Sequence, residues 1–157
     1  MSTSESSTRE ENEGLLDTNL FIHALTTDEQ SQDCQNFLDA LERGTVRARL
    51  EAPVLHELTY ALPRVIKQMT GNALVTYLTR VIEWPGVTGE KELLLDTVNR
   101  WSQTAGLSFV DAHLAALATA RGCSVYTKNV QELLEQGVNV SDPLVTPSKN
   151  GQVVDSV

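Results

Sequence analysis

Four side chains combine a capable group with an unusual setting: Asp17, Glu57, Asp111 and Asn129. Asp17 ends the apolar run Leu15-Leu16 and is followed by Thr18 and Asn19. Glu57 stands inside Pro53-Val54-Leu55-His56-Glu57-Leu58, and Asp111 lies between Phe109-Val110 and Ala112. Acids with apolar neighbours are poor candidates for plain solvated surface. Asn129 follows the short apolar stretch Cys123-Ser124-Val125-Tyr126-Thr127. Gathered at one edge of a fold, the carboxylates would repel one another, and a hard divalent cation would relieve that repulsion. Such a cation polarises a phosphoryl oxygen and lowers the pKa of a bound water, which is what phosphodiester hydrolysis requires.

Each residue also has a purely structural role open to it. Asp17 can cap a helix. Asp111 can complete a capping box begun by Ser108. Glu57 can pair with Arg64, and Asn129 can simply turn the chain. His23, His56 and His113 are scattered and lack metal-ligand spacing, so they are expected on helix surfaces or packed. The choice rests on which elements carry the acids and where those elements end.

Gly14 to Asp17 predicts a short first strand, followed by a helix over 18–25. Thr26-Thr27-Asp28 predicts the start of a second helix over 28–43, with Cys34, Phe37, Leu38 and Leu41 as its apolar face and Gly44 as its stop. Val46 to Ala52 is expected as a second strand, and Pro53 suits the first turn of the helix that carries Glu57. Further helices are expected from Thr70-Gly71-Asn72 to Trp84-Pro85-Gly86 and over 90–105, with a short strand or extended loop between them. Ser108 opens a helix ending at Gly122. Cys123–Thr127 and Val138–Val140 are expected as short strands around a helix over 130–136. Strands separated by helices imply a mostly parallel sheet with helices on both faces. In such folds ligands sit at the carboxyl edge of the strands, where Asp17 and Asn129 would lie.

The length of 157 residues suits one domain. Residues 1–13 are too polar to pack and are expected to be disordered, 14–145 to form the folded domain, and 146–157 to be a flexible tail. With aromatic content at 5%, the core must come from Leu, Val, Ala and Ile. The net charge of −9 argues against passive coating of a phosphate backbone. It does not exclude a nuclease, because a bound cation reverses the local field. Cys34 and Cys123 form no Cys-x-x-Cys pair and are expected as packed, reduced thiols of a cytoplasmic protein. No run approaches the ~18 apolar residues needed to span a membrane.

Taken together, Leu16-Asp17-Thr18-Asn19-Leu20-Phe21-Ile22, Val54-Leu55-His56-Glu57-Leu58, Ser108-Phe109-Val110-Asp111-Ala112-His113 and Val125-Tyr126-Thr127-Lys128-Asn129 resemble the PIN-domain family, in family order. The nearest likeness is to VapC-type toxins of toxin–antitoxin pairs. The resemblance implies an α/β, Rossmann-like three-layer α/β/α fold with a mostly parallel central sheet. It implies a Mg²⁺- or Mn²⁺-dependent endoribonuclease, with Asp17, Glu57 and Asp111 as catalytic acids. Those acids and Asn129 would be the metal ligands. Thr18, Asn19, Thr127 and Lys128 would orient the acids or the substrate phosphate. RNA substrate, a cognate antitoxin protein and a homodimer are the partners it implies. The chain departs from the pattern at Asn129, where many members carry Asp, and loses one negative charge there. A non-catalytic PIN-like module that binds RNA or protein is the competing expectation. A metal-dependent phosphatase would want a second acid two residues after Asp17, where the chain has Asn19.

Overall fold

The computed structural model describes residues 12–141 of the chain. Helix α1, Thr18–Leu25, begins where Asp17 takes an extended backbone and its carboxylate accepts a hydrogen bond from the Thr18 amide at 2.9 Å. Its buried face is Thr18, Phe21 and Ala24. Helix α2, Ser31–Arg43, starts later than the expected residue 28. Asp28 is occupied by a local turn: its carboxylate accepts from the Gln30 amide, and its own amide donates to the Ser31 hydroxyl, both at 2.8 Å. Side chains of this type compete with helix formation when they can bond nearby backbone. Gly44 ends α2 in the left-handed region, at φ 76°.

Strand β1, Ala48–Arg49, is much shorter than the expected 46–52, because helix α3, Ala52–Val65, already begins at Ala52 with Pro53 in its first turn. Helix α4 is Gly71–Glu83, and strand β2 is Val87–Thr88. Beyond them lie α5, Lys91–Gln103, and α6, Phe109–Arg121. Strand β3, Val125–Tyr126, helix α7, Val130–Leu134, and strand β4, Val140–Ser141, complete the described elements.

Every strand pairing among the described residues is parallel. Ala48 pairs with Val87 and Arg49 with Thr88, and Leu15 forms a bridge on the other side of Arg49. Separately, Val125 pairs with Val140 and Tyr126 with Ser141. The expected single central sheet is therefore divided, among the described residues, into two short ladders. The physical reason lies in where the apolar side chains are. Each strand is only two residues long, while the helices hold most of the core.

That core also has two parts. Phe21, Leu41, Leu55, Leu58, Leu62, Leu78, Val81 and Ile82 are fully enclosed in the larger cluster. Ala115, Ala118, Val125, Leu133 and Val138 form the smaller one beneath the second ladder. Helix α6 joins them: Phe109, at its start, packs in the first cluster, and Ala115 and Ala118 in the second. Asp111 thus sits on the element that spans both halves.

The polar lead segment expected over 1–13 falls mostly outside the described residues, as do the expected tail over 146–157 and the last four residues of the expected domain. Glu13 itself is tied down, accepting from the Thr88 hydroxyl and from Arg47 Nε. Cys34 is buried as expected, but Cys123 is exposed, because it follows Gly122 where the chain turns at the surface. Among the described residues no helix is long and apolar enough to cross a membrane.

Candidate active site

The junction after Leu16 makes the first half of the site. Thr18 is only 1% exposed. Its amide donates to Asp17 Oδ1 at 2.9 Å, and its hydroxyl donates to Glu57 Oε2 at 2.8 Å. One enclosed residue on α1 thus holds a carboxylate from its own cap and another from α3. Asp17 and Glu57 are both exposed, so their remaining oxygens face solvent. The capping role open to Asp17 is real and coexists with this arrangement. Glu57 does not pair with Arg64; it is taken by Thr18. Asn19 lies exposed in the first turn of α1.

The second half is built where α6 faces the turn after β3. Ser108 caps α6, accepting from the Asp111 amide at 3.0 Å. The reciprocal arm of a capping box is absent among the described residues. The Asp111 carboxylate instead receives the Asn129 side-chain amide, at a long 3.4 Å. Asn129 is steadied by its backbone amide, which donates to the Thr127 hydroxyl at 2.9 Å. Lys128, between them, is exposed.

The halves are joined by rings. His56, next to Glu57, stacks on Phe109, two residues before Asp111, with centroids 5.3 Å apart and planes within 4° of parallel. Trp101 meets the same Phe109 edge-on at 6.0 Å. This contact fixes the α3 turn carrying Glu57 against the α6 turn carrying Asp111. In the sequence His56 reads as a surface or packing residue, and nothing in its spacing marks it as the link. His113 is also committed. The Thr97 hydroxyl gives its proton to the Leu93 carbonyl at 2.8 Å and so accepts from His113 Nδ1 at 3.1 Å. Burial holds the His113 imidazole pKa below its ordinary value.

The structure brings Asp17 to Glu57 through Thr18, and Asp111 to Asn129. Among the described residues no hydrogen bond or ion pair links the two pairs, and no group of three or more His, Cys, Asp or Glu is close enough to hold a metal ion. The donors nevertheless suit a hard divalent cation in kind, since all are carboxylate or amide oxygens. Among the described residues Asp17, Glu57 and Asp111 enter no ion pair; the carboxylates of Asp28, Glu51 and Asp96, by contrast, are engaged by His23, Arg49 and Arg100.

The family model described as PIN domain matches residues 14–126. The match contains Asp17, Thr18, Asn19, Glu57 and Asp111 and ends just before Thr127, Lys128 and Asn129. No curated protein matches the chain. With a match over more than half its length, the chain belongs to the PIN domain family.

Proposed function

We propose that the protein is a Mg²⁺- or Mn²⁺-dependent endoribonuclease, the toxin of a type II toxin–antitoxin pair working in the cytoplasm with a cognate antitoxin and as a homodimer. PIN domains are generally nucleases, which sets the class. The observation that carries the finer reading is the double hold of Thr18 on Asp17 and Glu57. The Thr18 hydroxyl thereby brings a second acid, from another helix, beside the capping one, and both acids stay exposed to solvent.

In this reading Asp17, Glu57 and Asp111, with the Asn129 carbonyl, would hold the cation. When bound, it would supply charge neutralisation at the phosphate and a more acidic water. Glu57 has one oxygen engaged by Thr18. The other would face the cation and orient or deprotonate an attacking water, so Thr18 sets the orientation of Glu57. Asn129 restrains the Asp111 carboxylate. Asn129 in place of an acid lowers the charge of the site, which predicts weaker metal affinity than an all-acid site would have.

The non-catalytic module remains the second reading, favoured by the gap between the two halves. The test is incubation of a mixed single-stranded RNA pool with the protein in Mn²⁺ and in EDTA. Discrete fragments in Mn²⁺ that vanish on chelation are expected. Intact RNA under both conditions, with RNA still bound, would select the non-catalytic module.

A further inference from the structure

We infer that Tyr60 and Arg64 form a subsite for single-stranded RNA on the α3 face that carries Glu57, an inference that rests on the proposed nuclease reading and names how its substrate is held. Glu57, Tyr60 and Arg64 recur at i, i+3 and i+7, so they share one face of α3. All three are exposed. Tyr60 is 47% exposed, unusual for a ring on the helix that supplies the core with Leu55, Leu58 and Leu62. Its position is fixed: it meets His56 edge-on at 5.8 Å, and His56 is itself clamped on Phe109. The Arg64 guanidinium lies 5.6 Å from the Tyr60 ring centroid.

The charge pattern says what this face attracts. The chain carries a net −9, yet residues 58–82 contain no Asp or Glu and hold Arg64, Lys67 and Arg80. None of these three cations enters an ion pair among the described residues. Arg80 lines the corner between α3 and α4, where a cavity of about 500 Å³ is walled also by Ile66, Met69 and Tyr77. Arg64, on the same face of α3 as Glu57, offers a positive charge to a polyanion that presents a neighbouring phosphate to the acids. A pre-positioned ring beside a guanidinium adds what single strands use: stacking for a base and a charge for the backbone. Duplex RNA keeps its bases stacked inside, so the ring has nothing to bind there.

The test is fluorescence anisotropy with a labelled ten-nucleotide single-stranded RNA in EDTA, where binding is read without cleavage. Wild type is expected to bind, and Tyr60→Ala to weaken binding about tenfold or more. Tyr60→Phe should keep it. Arg64→Ala should weaken it and lower the salt slope by about 0.7, the loss of one phosphate contact. A duplex of the same sequence should bind more weakly than the single strand. Equal binding by wild type, Tyr60→Ala and Arg64→Ala would overturn the proposal, as would no binding by wild type. The readout separates this proposal from the nuclease reading. Binding that depends on Tyr60 without any Mn²⁺ cleavage sinks only the nuclease. Cleavage with Tyr60-independent binding sinks only the subsite.

Discussion

Asp17→Asn is expected to reduce RNA cleavage by about a thousandfold or more while leaving the fold intact. The two effects separate because the proposed function gives Asp17 a second job besides its cap. As a cap it needs only an oxygen that accepts the Thr18 amide, and Asn caps helices as well as Asp does. As a metal and phosphate residue it needs its charge, which Asn lacks. Thermal denaturation should therefore place wild type and variant within about 0.5 kcal/mol of each other. Asp17→Ala makes the contrast: it should lose cleavage and also about 1 kcal/mol of stability, the usual cost of a missing cap. An Asp17→Asn protein that cuts RNA like wild type would remove Asp17 from the chemistry and leave it a cap alone.

Gly86→Ala is expected to be the most disruptive single-methyl change. Gly86 is buried between α2 and β1. Its amide donates to the Leu41 carbonyl at 2.8 Å, and its carbonyl accepts from the Ala48 amide at 2.9 Å. A Cβ there would lie 2.1 Å from the Val46 carbonyl oxygen and 2.6 Å from that of Leu41. These are backbone atoms, so no side chain can swing away. The strand must move instead, at a cost near the upper end for overpacking, about 3 kcal/mol. For a chain of this size that is a fall in Tm of roughly 6–12 °C. The functional consequence follows from the chain path: β1 leads directly into α3, which carries Glu57. Circular-dichroism melting checks it, and an unchanged Tm would contradict the close approach of Gly86 to Leu41 and Val46.

What could be read from the sequence was mostly what local chemistry decides. The caps at Asp17 and Ser108 and the left-handed stops at Gly44 and Gly122 bound helices that the sequence reading placed to within a few residues. The second helix shows the limit, since Asp28 and Ser31 bond each other and delay its start. The strands were harder. Val46–Ala52 has the composition of a strand, but the partner at Val87–Thr88 is only two residues long. How much of a segment pairs depends on its neighbour, which its own residues do not encode. PIN domains have a three-layer α/β/α fold, and the described residues express it chiefly through their helices.

The site was legible as a set of residue types and illegible as geometry. Asp17, Glu57 and Asp111 stood out by their apolar neighbours. The Thr18 hydroxyl that joins two of them reaches across elements far apart in the chain. The His56–Phe109 stack likewise depends on how α3 meets α6. Tyr60 is unmarked in the sequence and Arg64 reads only as an ion-pair partner for Glu57, because an aromatic and a cation on a helix look ordinary until their exposure is known.

In the proposed function two halves, one holding Asp17 and Glu57 and the other Asp111 and Asn129, serve one cation. The most direct measurement is calorimetric titration of Mn²⁺ into wild type and Asp111→Asn, each alone and with a short single-stranded RNA. The account predicts saturable binding by wild type, alone or once the RNA phosphate is present, and at least tenfold weaker binding by Asp111→Asn. Equal titration curves for the two proteins, with and without RNA, would contradict it.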